Sequence, residues 1–95
     1  MAEYPTKREL KHIKNAECIK YEDAVRLAQY VVMLWHFDDF AILEGKRTKK
    51  LILVTGGWSG NEEIQSALNQ NFMFNRYWEM SKRGGLSIYK IKPNK

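Results

Sequence analysis

The sequence is short of the residues that build disulfides and metal sites. It has one cysteine and two histidines among 95 residues. A single cysteine excludes an intramolecular disulfide framework and fits a reducing compartment. Because the cysteine and the histidines lack ligand spacing, we expect no metal site and no cofactor.

Long hydrophobic runs are also missing. The most apolar stretch, residues 31–37, is interrupted by His36. It is far shorter than the roughly 20 residues that a membrane span needs. No apolar segment follows the charges near the N-terminus, so we expect neither a secretory signal nor a membrane protein. The expected location is the cytoplasm.

What is present predicts one small domain over residues 1–95. The hydrophobic content of 44% suffices for one core, and the chain is too short for two. The net charge of +5 suggests acidic partners. The charge is uneven, because segments 46–50 and 82–95 together contribute +9 and the other residues contribute −4.

Periodicity and capping signals predict two N-terminal helices. Thr6 and Glu9 have the spacing of a capping box before a helix over 7–16. Its lysines at 7, 11 and 14 form a basic stripe, interpreted as a solvated helix face. A second, mostly apolar helix begins at Glu22 and is expected to end near Phe37.

Residues 40–44 leave two alternatives open. They extend the second helix, or they form a strand that turns at 45–48 into a β-branched strand over 51–55. We favour the hairpin. A second capping-box pattern over 59–62 predicts a third helix.

After that helix, residues 72–81 restart the apolar pattern, either as a bend of the same helix or as another short helix. Gly84 and Gly85 are expected to stop it before a final strand over 86–91. The order predicts an α+β domain with two N-terminal helices, a two- or three-stranded sheet and a β-α-β C-terminal half. If the last two predicted strands are parallel neighbours, the helix between them forms a right-handed crossover.

A glycine-rich turn between strand and helix is the first candidate site. Gly56, Gly57 and Gly60 would present backbone amides beside a helix N-terminus, which is how many proteins hold phosphate. The spacing matches no P-loop. The alternative is a tight turn whose amides are satisfied by Ser59 and Glu62.

Trp58 is unusual among the small residues of this turn. It folds back over the sheet, or it projects as a contact residue. In the second case Trp58, Ser59 and Asn61 are the candidate protein-contact residues, since an exposed tryptophan is a strong anchor.

Basic residues are candidates for nucleic-acid binding. They form one surface only if the hairpin turn and the residues before Gly84 share one edge of the sheet. Trp58, Tyr77 and Tyr89 would then supply stacking. The candidates are Lys46, Arg47, Lys49, Lys50, Lys82 and Arg83.

No catalytic set stands out. Cys18 has no nearby base in the sequence and is interpreted as a small buried hydrophobe. His36 is expected to be structural. We therefore expect a binding protein rather than an enzyme.

Two segments, VTGGWSGNEEI (Val54–Ile64) and YWEMSKRGG (Tyr77–Gly85), resemble a group of small proteins encoded by phages and prophages, usually without assigned function. Leu86 stands where members often carry histidine or a polar aromatic residue. The resemblance implies a phage setting in a bacterial host cell, where small single-domain proteins commonly bind a host protein or nucleic acid. We expect interference with a host protein through Trp58, and the alternative is nucleic-acid binding.

Overall fold

The structure is a computed structural model that describes residues 5–35, 41–56, 59–82 and 85–93. No helix in these ranges is long and apolar enough to cross a membrane. The elements follow one another as α1 (Lys7–Asn15), α2 (Tyr21–Leu34), β1 (Ala41–Glu44), β2 (Lys49–Val54), α3 (Ser59–Gln70), α4 (Phe72–Asn75), β3 (Trp78–Lys82) and β4 (Leu86–Ile91).

Both N-terminal helices begin where an acid of the first turn can cap them. The Thr6 hydroxyl accepts a hydrogen bond from the Glu9 amide at 3.1 Å, and the Glu9 carboxylate accepts one from the Thr6 amide at 2.8 Å. This confirms the predicted capping box. At the start of α2 the Asp23 carboxylate accepts from the Lys20 amide at 3.2 Å.

Helix α2 ends earlier than predicted. Its last residue is Leu34, and Trp35 takes an extended conformation. The buried Trp35 indole donates to the Val54 carbonyl at 3.0 Å, which anchors the chain on β2 where it leaves the helix. The predicted end near Phe37 lies outside the described residues.

The hairpin alternative for residues 40–44 is confirmed over 41–44, and Phe40 lies outside the described residues. Strand β1 pairs antiparallel with β2. Gly45 has a φ of +113°, and a Cβ there would lie 2.1 Å from the Thr48 carbonyl oxygen, so the turn requires glycine. The Tyr21 hydroxyl donates to the Arg47 carbonyl and ties the turn to α2.

The α+β class is confirmed, but the sheet is larger than the two or three strands predicted. Its four strands have the order β1-β2-β4-β3, and every neighbouring pair is antiparallel. Strands β2 and β3 therefore run parallel with β4 between them. Helix α3 lies in the connection between β2 and β3, which makes a split β-α-β unit. The final strand is antiparallel to β2, so the two strands predicted as possible parallel neighbours are not parallel.

The additional strand is β3, where a continued helix was predicted. Helix α4 is a single turn, capped by the Asn71 side chain, which accepts from the Phe74 amide at 3.1 Å. Phe74 and Tyr77 are both buried. The Lys90 amide donates to the Tyr77 carbonyl at 2.8 Å, which brings the following residues alongside β4. The aromatic pattern therefore combines one helical turn with a strand.

Gly85 belongs to the connection between two strands, and its predicted role in stopping a helix is wrong. Its φ is +84°, and a Cβ there would lie 2.0 Å from the Thr55 hydroxyl oxygen. The Thr55 amide donates to the Gly85 carbonyl at 3.2 Å. Glycine is needed because this connection passes so close to the end of β2. Gly84 lies outside the described residues.

One face of the sheet carries the core. Its strand residues alternate with those of the opposite face. Each of α1, α2, α3 and α4 contributes at least one buried hydrophobic residue to the same cluster. The buried strand residues on this covered face are Ala41, Leu51, Leu53, Ser87, Tyr89 and Ile91.

Candidate functional site: the open face of the sheet

The opposite face of the sheet, here called the open face, carries an apolar row across all four strands. Ile42 pairs with Ile52, Ile52 with Ile88, and Ile88 with Met80. None of these four residues belongs to the core cluster or to the hydrophobic residues packed against it. Ile42 is 43% exposed. A contiguous apolar strip of this kind is typical of a binding surface rather than of isolated exposed hydrophobes.

A row of charges borders the apolar row on one side. Lys50 lies opposite Glu44 on β1 and opposite Lys90 on β4. The Lys90 ammonium is 3.4 Å from the Glu79 carboxylate. Two like charges directly opposite each other are unfavourable in a sheet, so the flanking acids stabilise the two lysines in place. Taken in the order β1-β2-β4-β3, the row therefore carries a negative, a positive, a positive and a negative side chain.

The same end of the sheet is rich in basic side chains. The turn between β1 and β2 lies beside the last residues of β4, because Lys49 pairs with Ile91. Lys49 also donates to the Gly45 carbonyl at 2.9 Å and helps to close the turn. We call this group the basic end; it consists of Lys46, Arg47, Lys49, Lys50, Lys90 and Lys92.

Lys82 lies at the other end of the sheet. It pairs with Leu86, which pairs with Val54 at the far end of β2. Val54 lies five residues along β2 from Lys49, and the rise of a strand makes this distance about 17 Å. Arg83 lies outside the described residues. The structure therefore joins segment 46–50 with Lys90 and Lys92, and it separates this segment from Lys82.

The glycine turn lies at that far end, beside the connection between β3 and β4. Gly56 is exposed with a φ of 63°, whereas Gly60 is buried in the first turn of α3. Gly57 lies outside the described residues. The predicted start of α3 at Ser59 is confirmed, and whether the turn binds an anion stays a prediction.

The predicted protein-contact residues separate in the structure. Ser59 is exposed, but Asn61 is fully buried, and its amide donates to the Thr55 carbonyl at 3.4 Å. Asn61 therefore holds the strand-to-helix turn together and does not present its side chain to a partner. Trp58 lies outside the described residues, so its role as an anchor stays a prediction.

The tyrosines expected to stack on bases are in the core. Tyr77 is 3% exposed and Tyr89 is fully buried. The Tyr89 hydroxyl donates to the Asn69 side chain at 2.8 Å and accepts from Gln65 at 2.7 Å. Burial raises the pKa of Tyr89 to about 12. These two tyrosines cannot serve as stacking platforms without unfolding the core.

The thiol of Cys18 is also buried, as interpreted from the sequence. Burial raises its pKa to about 11, and the nearby Asp23 acts in the same direction. The thiol is therefore neutral at physiological pH and lies near the Ala16 carbonyl, at 3.8 Å. Within the described ranges no group of three or more histidine, cysteine or acidic residues could hold a metal ion.

The apolar row is the feature that the sequence reasoning missed. Segment 51–54 is apolar at every position, and the sequence analysis used this only to predict a β-branched strand. In an antiparallel sheet with helices on one face, the outward positions are normally polar. Ile52 and Val54 on β2, and Leu86 and Ile88 on β4, are apolar residues at outward positions. The sequence therefore did contain a signal for an apolar open face. Its pairing across four strands was not visible without β3.

No protein family model matches the chain, and no curated protein or solved structure matches it either.

Proposed function

We propose that this chain is a non-enzymatic binding module that docks a partner protein on the open face of its sheet. The apolar row carries the proposal, because it crosses every strand and none of its residues packs on the core. Burying an apolar side chain from full exposure is worth on the order of 1.5–3 kcal/mol, and the half-buried Ile52, Ile88 and Met80 would each contribute part of that value. The phage setting implied by the sequence resemblance makes a host protein the proposed partner.

The chemistry of the open face defines the partner surface. An apolar strip on the partner would cover the apolar row. An acidic border beside that strip would face the basic end, where Lys46, Arg47 and Lys92 are all exposed beyond the charged row. Such complementarity raises association rates and sets the orientation of the complex.

Nucleic-acid binding is the second candidate function. The observation that favours it is the clustering of the six basic side chains of the basic end. Strand pairing brings this cluster together, because Lys49 pairs with Ile91 and Lys50 with Lys90. Among the described residues, however, the open face carries no aromatic side chain on which a base could stack. Trp78 of β3 is 49% exposed, but it pairs with Tyr89 of the covered face and its indole donates to the Ser81 hydroxyl at 2.7 Å. The basic end alone would support phosphate contacts without base recognition.

The test compares two serine substitutions of apolar residues. Ile88→Ser changes the middle of the apolar row, whereas Met33→Ser changes an apolar residue of α2 that is 71% exposed and lies outside the row. A partner captured from nuclease-treated bacterial lysate is identified and purified, and its affinity for each variant is measured by calorimetry. Ile88→Ser should weaken binding by about tenfold or more, and Met33→Ser should change it by less than about twofold. Wild-type affinity of a folded Ile88→Ser variant would refute the proposal.

Salt and nuclease distinguish the second candidate. Binding to mixed DNA and RNA in a gel shift should fall by orders of magnitude between about 50 and 200 mM salt if several phosphates are contacted. Lys46→Glu with Arg47→Glu should abolish it. The affinity of a Trp58→Ala variant for the purified partner protein tests the prediction from sequence that Trp58 anchors the partner. If that variant keeps the partner bound, the contact depends on the open face and not on the glycine turn.

A further inference from the structure

A second surface lies on the helical side of the molecule, in the groove between α1 and α3. The groove is open to solvent and has a volume of about 480 Å³. Leu10 of α1 and the mostly buried Ala67 of α3 contribute its apolar lining. The open face belongs to the opposite side of the sheet, so the two surfaces are separate.

Three lysines of α1 line this groove. Lys7, Lys11 and Lys14 are all exposed, which agrees with the interpretation of a solvated stripe, and all three line the groove. The rise of an α-helix places the first and last of them about 10 Å apart along the axis. The two ion pairs found among the described residues, Arg26–Asp23 and Lys90–Glu79, do not involve them.

The three lysines of the stripe repel one another when no partner is bound. Like charges four residues apart on a helix repel each other by a few tenths of a kcal/mol. The helix dipole disfavours Lys7, which is the first residue of α1, and favours Lys14, which lies in the last turn. Glu63 of α3 is the acidic residue among the described lining residues, so the groove has a net positive lining.

The walls of the groove are held in place by hydrogen bonds. The Asn71 side-chain amide donates to the Ile13 carbonyl at 2.8 Å and to the Ala16 carbonyl at 2.9 Å. These bonds join the junction of α3 and α4 to the end of α1. A groove fixed in this way binds without first ordering its own walls, which lowers the entropic cost of association.

The groove continues to an exposed aromatic residue. An adjoining depression of about 240 Å³ shares Lys14, Asn15 and Gln70 with it and reaches Phe72. Phe72 is 82% exposed, the largest exposed fraction among the described large hydrophobics. The lysine stripe, the apolar lining and this aromatic end together define one elongated surface.

We propose that this groove binds an acidic amphipathic helix of a partner protein. The concave shape between two helices suits a helical ridge, whose apolar side chains would contact Leu10, Ala67 and Phe72. Its carboxylates, repeated at helical spacing, would pair with the three lysines. This interaction is independent of the open face, and the protein would then hold two partners, or two parts of one partner, on opposite sides.

The experiment uses the intact protein and a fluorescein-labelled synthetic peptide of about 14 residues, long enough for nearly four helical turns. The peptide carries glutamates at i, i+4 and i+7 on one face and leucines beside them. A peptide of the same composition in scrambled order is the ligand control. A single-stranded oligothymidine of about 12 nucleotides tests nucleic acid as the occupant. Binding is measured by fluorescence anisotropy.

Two triple charge reversals are compared. One changes the lysine stripe, as Lys7→Glu, Lys11→Glu and Lys14→Glu. The other makes the same change of net charge at the basic end, as Lys46→Glu, Arg47→Glu and Lys92→Glu. Circular dichroism checks that both variants fold. Phe72→Ala is measured separately.

The lysine-stripe variant should weaken binding of the amphipathic peptide by about tenfold or more, and the basic-end variant by less than about threefold. Phe72→Ala should weaken it several-fold, and the scrambled peptide should bind worse than the amphipathic one. Equal losses in the two triple variants, or equal binding of the scrambled peptide, would show general charge attraction and overturn the proposal. Tighter binding of oligothymidine, lost in the lysine-stripe variant, would assign the groove to nucleic acid instead. None of these results depends on Ile88, so failure here is distinguishable from failure of the proposed function.

Discussion

The two faces of the sheet carry similar residues in very different surroundings. On β2, Leu51 and Leu53 are fully buried beneath the helices, whereas Ile52 and Val54 between and beyond them lie half-buried on the open face. The same alternation separates Tyr89 from Ile88 on β4. Packing of the core explains why the residues of the covered face are apolar, but it does not explain why those of the open face are. Apolar residues that contribute little to the core, yet form a continuous row, are the clearest functional signal in this molecule.

The largest expected difference between the faces comes from two neighbouring truncations on β2. Leu53→Ala should lower the free energy of unfolding by about 2–5 kcal/mol, because it leaves a cavity in the core. Ile52→Ala should cost less than about 1.5 kcal/mol, because its side chain is already partly in water. Urea unfolding followed by circular dichroism measures both values.

The pair also separates stability from binding. Ile52→Ala should weaken the partner complex at a temperature where it is fully folded. Equal stability losses for Ile52→Ala and Leu53→Ala would mean that both faces are packed, and the distinction between them would fail.

Alkaline pH should destabilise the covered side. Burial raises the pKa of Tyr89 from 10.0 to about 12, and that of the Cys18 thiol from 9.0 to about 11. In both cases the folded protein keeps the proton more tightly than the unfolded chain does. The stabilisation is therefore complete below pH 9, and it is lost as pH rises through the window from 9 to 12. At pH 12 we expect the two groups together to lower stability by an amount comparable to that of Leu53→Ala.

Unfolding in urea at several pH values tests this prediction. Tyr89→Phe should remove the part of the decline between pH 10 and 12. It should also lower stability at pH 8, since it removes the hydroxyl that contacts Gln65 and Asn69. An unchanged decline in the Tyr89→Phe variant would contradict the assignment.

Local signals in the sequence predicted the elements that local chemistry decides. The Thr6–Glu9 capping box, the hairpin at 41–54 and the start of α3 at Ser59 were each predicted from residues close together in the sequence, and all three are present. The failures concern residues whose conformation is decided by distant ones. Strand β3 forms because β4 offers an edge for pairing, and the buried aromatics before it imitate a helical pattern.

The candidate site was less predictable, because it depends on register. The sequence showed that 46–50 is basic, but only the pairing of β2 with β4 places it beside Lys90 and Lys92 and away from Lys82. In the same way, the sequence predicted Asn61 to be a contact residue, whereas in the structure its side chain is buried and donates to the Thr55 carbonyl. The sequence shows which chemical groups are available for a surface, and strand pairing determines which of these residues lie on the same surface.

The smallest expected effect concerns the charges that border the apolar row. The pair between Lys90 and Glu79 is exposed on both sides, so Glu79→Gln should change the free energy of unfolding by less than about 0.5 kcal/mol. Yet this substitution leaves Lys50 and Lys90 opposite each other with one acid fewer beside them. An acidic border on the partner should then associate faster, and the gain should disappear as salt is raised, since Debye screening shortens the range of the attraction. Stopped-flow association rates for wild type, Glu79→Gln and the opposite change Lys90→Gln measure this at about 50 and 200 mM salt. If Glu79→Gln leaves association unchanged, the partner surface facing this border is neutral, and if it slows association that surface is basic. Either result would refute the proposed acidic border and leave the proposal for the apolar row intact.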